Sequence, residues 1–511
     1  MKKLFSLFMA IMMLISLSAC KGNTTSSDNV LSSDFSDGEF LVEETGNDSE
    51  NGTASNDGTA SNKGTASNKG TGGQSGSGSG GSDGTVSTPI KPNEGTVSML
   101  QGLDFGGKTF TFAYRSDNAP DDDEKARLKA FGKKFNCTVK PTVIPFDTYM
   151  DAVAKKIVAD QPYDVVFLHG SHMPSCIIND LVVPLDDYYT TADVADSAHP
   201  EKGGISLVIS EYFKGKDGKL YGLSDGVNCS IAYYNKQALA DAGYSGNKDP
   251  YYLWTQGKWT WDAFETMAKA MSNPSKGIYF TPTISESLVA TTGNSHISRT
   301  GNASYSINLR LPEVFTAMSR LQKWAITDKI IDASIETCQG SYDDFANGKF
   351  AMLAEAPDNH ISTIKEAIAT KKSAAWNGGD LSLLGLVPVP QQKEGTTYIP
   401  ATWPCAIGAS KGAKDPRVAV AYAIYKSIPS NQSYTDTYAL TESEQKFFNS
   451  LYSDYDLVFD YYAFRNSTTT GYTELHHMRK EIRNGADVKA TLEKYQSVLE
   501  GLRDGALKDW K

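Results

Sequence analysis

The chain has 511 residues, and its 49 lysines and arginines against 60 aspartates and glutamates give a formal charge of −11 with neutral histidines. The excess is shared between the two parts of the chain, with 6 lysines against 11 acidic residues in the first 98, so neither part has the basic footprint of a nucleic-acid binder. Six cysteines without any CxxC spacing argue against a disulfide framework or a zinc ribbon, and a domain of this size buries enough apolar surface to stand without staples.

Lys2 and Lys3 precede an apolar run from Leu4 to Leu17. That run is too short to span a bilayer comfortably, and residues 1–19 are predicted to be a signal peptide. It ends in Leu17-Ser18-Ala19-Cys20, which resembles a bacterial lipobox, so Cys20 is the expected lipidation site and the lipid the expected membrane anchor. Residues 20–98 show no periodicity. They repeat Gly-Thr-Ala-Ser-Asn three times from Gly52 and continue Gly/Ser-rich to Gly84, the composition of a flexible tether spanning roughly 50 Å.

A globular pattern, residues 99–511, begins near Leu103. Thr109–Tyr114 reads as a strand, and Asp121–Phe135 as a helix with Leu128, Phe131 and Phe135 on one face. Tyr149–Asp160 reads as a second helix. The unbroken apolar run Val165-Val166-Phe167-Leu168 reads as a strand buried on both faces of a parallel sheet. This alternation predicts an α/β fold. Thr260, Asp415 followed by Pro416, and Asp487 are helix-start signals. The last of these opens a stripe of Val488, Leu492, Tyr495, Leu499 and Leu502 that reads as core-facing. Some 410 residues exceed one usual α/β domain, so two lobes are expected.

Several segments, in order, resemble the family 1 extracellular solute-binding proteins, the group that includes maltose-binding protein. They are Gln161-Pro162-Tyr163-Asp164-Val165-Val166-Phe167, Leu181–Asp186, Asp217–Leu223, Tyr234-Asn235-Lys236, Trp259–Phe264 and Phe345–Met352. The resemblance implies a two-lobe, type II periplasmic-binding-protein-like fold with a ligand cleft between lobes joined by hinge crossings. By this likeness lobe 1 holds about 103–226 and 354–428, and lobe 2 about 227–353 and 429–511. It implies a monomer on the extracellular face of the membrane. That monomer delivers a small molecule, a mono- or oligosaccharide before other classes, to the permease subunits of an ABC importer.

Ligand-binding residues are expected on loops after strands and at the crossings, because ligands sit outside the carboxyl ends of strands in open sheets. Ser116 and Asp117 follow the first strand; His169 and Ser171 follow the apolar one. The resemblance adds Asn228, eight residues before Lys236, with Asp225 beside it, and Glu355 and Asp358 after the Phe345–Met352 block. Maltose-binding protein has a tryptophan where this chain has Asp358, which weakens a maltodextrin reading. Trp403 is the expected aromatic, since a sugar's apolar face stacks on an indole. His169 and His172 form an HxxH pair, but no other histidines cluster with them, so no metal is expected, and nothing calls for a cofactor.

An enzyme is the rival reading. Gly408-Ala409-Ser410-Lys411-Gly412 matches a nucleophile elbow, with Asp454 and His476 following in a permitted order. Asp415 rather than the residue after Ser410 carries the helix signal, however, and no HGGG-type loop is present. No catalytic residue is therefore expected. A ligand-presenting sensor for a signalling receptor remains the other alternative, because the partner reads only the outer surface.

Overall fold

A computed structural model of the chain describes residues 100–189, 207–302, 304–427, 438, 440–461, 464 and 470–508, without the side chains at 207, 208, 225, 226, 402, 403 and 452–454. The expected signal peptide, Cys20 and the tether lie outside the described residues.

The chain opens with parallel strands β1 (Lys108–Arg115), β2 (Cys137–Ile144) and β3 (Val165–His169), linked by helices α1 (Asp122–Lys134) and α2 (Tyr149–Val158). Asp121 caps α1, its Oδ1 accepting from the Glu124 N–H at 2.7 Å. α2 stops two residues before the expected end because Asp160 turns left-handed, at φ 57°. Both faces of β1 and β3 are covered, as parallel strands require. Phe110, Phe112, Val165 and Phe167 meet α1, while Ala113, Val166 and Leu168 meet Tyr149 and Val153 of α2. The buried Tyr149 hydroxyl ties the two strands together, donating to Ala113 O (2.6 Å) and accepting from the Phe167 N–H (2.8 Å).

After the short β4 (Val182–Val183), the long strand β5 (Leu223–Asn235) leaves this lobe. Beyond it come α3 (Lys236–Asp241), α4 (Trp261–Met271), α5 (Ser287–Ala290), the hairpin β6 (Ile297–Gly301) and β7 (Ser304–Ile307), and α6 (Pro312–Gln322). β8 (Met352–Pro357), α7 (Ile361–Lys371) and β9 (Leu384–Pro388) follow, and then the long β10 (Tyr398–Ser410) returns. The described chain ends with α8 (Arg417–Ser427), α9 (Glu442–Asp454), β11 (Asp456–Phe459), α10 (Gly471–Arg483) and α11 (Val488–Leu507). Thr260 caps α4 and Asp487 caps α11, as expected. Asp415 accepts from the Arg417 N–H at 3.3 Å, so α8 starts one residue past the proline.

β5 and β10 bind the lobes into one continuous sheet, in the order β2-β1-β3-β10-β5-β8. The front of β5 pairs with β10, from Leu223↔Ile407 to Cys229↔Ala401, with register shifts around Cys405. The back of β5 pairs with β8 and β9. Leu223 and Ile407 belong to the first lobe's core, whereas Val227, Cys229, Ile399 and Ala401 belong to the second's, so both strands cross within a few residues of one another. The lobe boundary expected at 354 is displaced. Ala356, Ile364, Ile368, Trp376, Leu384 and Leu386 pack in one cluster with Phe345, Phe350 and Leu353, which keeps residues 354–401 in the second lobe. The reason is register: β8 and β9 pair with the far half of β5 and, among the described residues, with no strand of the first lobe.

The Tyr234-Asn235-Lys236 motif is structural. Asn235 is 2% exposed; its Oδ1 caps α3 by accepting from the Ala238 N–H (3.0 Å), and its Nδ2 donates to Ala375 O (2.7 Å). Tyr234 lies opposite Gly385 of β9 so closely that a Cβ there would stand 2.3 Å from the ring.

Candidate functional site

A cavity of about 1900 Å³ opens between the lobes. Its first wall comes from the carboxyl ends of β1, β2 and β3, its floor includes Val227 and Asn228 of the crossing strand β5, and its second wall comes from the segments preceding α5, α7 and α10.

On the first wall Arg115, 2% exposed, sets the geometry. Its Nε and Nη2 donate to the two carboxylate oxygens of Asp117 (2.9 and 3.1 Å), and its Nη1 donates to Phe167 O (2.9 Å). Such a forked pair fixes both side chains. Phe146, at the end of β2, stands edge-to-face with His169 at 5.2 Å, with the Arg115 guanidinium 6.0 Å from its centroid. His169 Nδ1 accepts from the Ser171 N–H (3.2 Å) and lies 2.7 Å from Ser171 Oγ, which assigns the ring proton to Nε2. Burial, together with the Arg115 charge, pushes its pKa down to about 3, so the ring is neutral near pH 7. His172 Nδ1 accepts from the His169 N–H (3.2 Å), and its ring stacks on Tyr149 at 5.4 Å. The HxxH pair therefore braces its own loop. Among the described residues no group of three His, Cys, Asp or Glu side chains is placed to hold a metal ion.

On the second wall Asp358, 6% exposed, joins the crossing strand to the start of α7: its Oδ1 accepts from the N–H groups of Cys229 (3.1 Å) and Asn359 (2.8 Å). Glu286, before α5, lines the same wall and accepts from the Tyr472 hydroxyl (3.2 Å) and Arg479 Nη2 (2.9 Å).

Of the residues expected from the sequence, Asp117, His169, Ser171, Asn228 and Asp358 line the cavity. Two do not. Ser116 accepts from the Phe146 N–H (3.0 Å) and so holds the turn beneath the aromatic. Glu355 is buried behind the wall, where its carboxylate accepts from the N–H groups of Ser285 (2.8 Å), Glu286 (2.8 Å) and Ser287 (3.0 Å). The side chains of Asp225 and Trp403 lie outside the described residues; their backbones sit in β5 and β10 at the crossing. The sequence reading missed Phe146, Glu286 and Tyr472. The strand-end rule that selected Asp117 also reaches Phe146, whereas nothing local marks Glu286.

The nucleophile-elbow pattern is not an elbow. Ser410 is fully buried at the end of β10 in the first lobe, and His476 sits in α10 of the second, against Glu336. The Asp454 side chain lies outside the described residues. Among the described residues, Cys137, Cys176, Cys229, Cys338 and Cys405 form no disulfide.

Residues 126–443 match the family model described as bacterial extracellular solute-binding protein. No curated protein sequence shows significant similarity. Solved structures share the fold at low identity. The sugar-binding protein MalE from Xanthomonas citri aligns with TM-score 0.59 and 15% identity over 78% of this chain and 98% of its own. An ABC substrate-binding protein from Listeria monocytogenes in complex with cycloalternan gives 0.56 and 16% over 77% and 98%. UgpB from Mycobacterium tuberculosis in complex with glycerophosphocholine gives 0.57 and 15% over 77% and 98%. With the family model covering residues 126–443, more than half its length, the chain belongs to the bacterial extracellular solute-binding proteins.

Proposed function

We propose that this chain captures a small polar solute, a carbohydrate before other classes, and delivers it to the permease subunits of an ABC importer. It does so from the outer face of the membrane, where a lipid on Cys20 anchors it as a monomer. The observation that carries this reading is the pairing of walls: Asp117, His169, Ser171 and Phe146 on one lobe face Glu286, Asp358 and Tyr472 on the other. Carboxylates accept from hydroxyls and an aromatic ring covers a sugar's apolar face, the usual division of labour in a polar-ligand cleft. Solved members of the fold carry cycloalternan, maltotetraose and maltose, which supports the ligand class; a glycerophosphocholine complex marks the breadth of the fold. A solute touching both lobes favours the closed arrangement by its differential affinity for it, and the importer reads that shape.

Binding rather than catalysis is also what the side-chain chemistry supports. Ser171 and His169 have the spacing of a nucleophile and its base, at 2.7 Å. A ring whose conjugate acid titrates at about 3 is too weak a base to take the serine proton near neutrality.

A thermal-shift screen of the full chain against sugars, amino acids and polyamines tests the reading. A ligand at a hundred times its dissociation constant adds about 2.7 kcal/mol of stability. The expected result is a rise with one carbohydrate class that Trp403→Ala abolishes; a rise with amino acids or polyamines alone sinks the carbohydrate assignment.

A further inference from the structure

We propose that Glu286 is the second lobe's principal ligand-accepting side chain, and that Glu355, buried behind it, is the positioning residue that aims it into the cleft. The inference rests on the reading of the cleft as the solute site.

Glu286 stands between Glu355 of β8 and Arg479 of α10, and its own segment, Thr281–Glu286, belongs to no regular element before α5 begins at Ser287. Such a segment holds a side chain in place only if its backbone is tied down from outside. Glu355 does this with a single carboxylate. Its Oε1 takes the Ser285 N–H and its Oε2 takes those of Glu286 and Ser287, so three successive backbone donors converge on one buried side chain from β8. The Glu286 carboxylate is then gripped by Arg479 and the Tyr472 hydroxyl, both on α10, and Tyr472 lines the cavity beside it. Arg479 is 1% exposed, so its stem offers little freedom to follow Glu286 elsewhere. The outcome is an acceptor pre-oriented before ligand arrives, which removes an ordering cost from binding.

The charges around Glu355 bear on its protonation. Glu286 repels it from the segment before α5, Arg479 and Arg483 attract it from α10, and Tyr472 and the Cys338 thiol also interact with its charge. Burial, reinforced by Glu286, lifts its pKa to about 7 against the pull of the backbone donors and Arg479. The sign follows from linkage: a carboxyl that titrates higher in the folded chain than its ordinary 4.5 contributes stability below that value and loses it as pH rises through about 7.

The test uses the full chain with Glu286→Gln, Glu355→Gln and Glu355→Ala, and maltotetraose as the probe. Three readouts are taken: calorimetric affinity, amide hydrogen exchange at 285–287, and melting temperature from pH 5 to 8. Glu286→Gln is expected to weaken maltotetraose at least tenfold with exchange at 285–287 unchanged. Glu355→Ala is expected to accelerate that exchange at least tenfold, Glu355→Gln to do so less, and both to weaken binding. Glu355→Gln is also expected to flatten the fall in melting temperature between pH 5 and 8. Wild-type affinity in Glu286→Gln overturns the contact, and unchanged exchange in Glu355→Ala overturns the positioning role. If the wild-type chain ignores maltotetraose while Glu355→Ala still loses protection, the positioning role stands, the maltodextrin choice falls, and the Glu286 contact is read on the sugar that the thermal screen selects, where wild-type affinity in Glu286→Gln overturns it.

Discussion

Asn235 offers the sharpest test of why the crossing strand ends as it does. The side chain does two jobs at once, capping α3 through Oδ1 and donating through Nδ2 to Ala375 O, at 2% exposure. Loss of a cap costs about 1 kcal/mol. Leaving the half-buried Ala375 carbonyl without its donor costs up to a further ~1–3 kcal/mol. Asn235→Ala is therefore expected to destabilise the chain by about 2–4 kcal/mol, read as a shift in the urea midpoint at constant slope. Asn235→Asp separates the two jobs: the carboxylate still caps, but an acceptor now faces the Ala375 carbonyl in a buried site. It should recover no more than about 1 kcal/mol, the worth of the cap. A loss below about 1 kcal/mol in Asn235→Ala, or wild-type stability in Asn235→Asp, refutes the two-contact account.

Other substitutions probe separate parts of the structure. Gly385→Ala drives a Cβ to 2.3 Å from the Tyr234 ring, and overpacking of that kind is expected to cost at least about 1–3 kcal/mol by denaturant titration. Burial alone would raise the Glu265 carboxyl, but hydrogen bonds from Lys269, Lys323, Trp324 and Arg320 hold it well below its ordinary 4.5. Its contribution is thus present above that value and lost on acidification, so Glu265→Gln should be less stable than wild type at pH 7, with the gap narrowing by pH 3. Phe146→Ala removes the described aromatic beside His169 and Arg115. It should weaken a bound sugar about three- to tenfold by calorimetry, the scale of one aromatic contact, with little change in melting temperature.

The elements set by local pattern were legible in the sequence. β1, α1 and β3 follow from alternation, helical spacing and an apolar run, and Thr260 and Asp487 mark helix starts because a cap is a contact across three residues. Cavity-lining residues at the ends of β1 and β3 were legible for the same reason: Asp117, His169 and Ser171 need only the strand to be recognised. Glu355 was read as a candidate for the cleft, yet its carboxylate turns inward to the backbone at 285–287, about seventy residues away in sequence. No local signal carries such a contact. The same holds for Glu286, which gains its role from Glu355 and from Arg479 on α10. The lobe boundary near 354 failed because it depends on which half of β5 receives β8 and β9, a register that no single segment encodes.

The central claim is that a solute bridging the two walls closes them. Small-angle scattering of the full chain with and without the solute selected by the thermal screen measures this directly. A smaller radius of gyration on binding, absent in Asp358→Ala at the same solute concentration, is the predicted result. A solute that binds tightly and leaves the radius unchanged contradicts it.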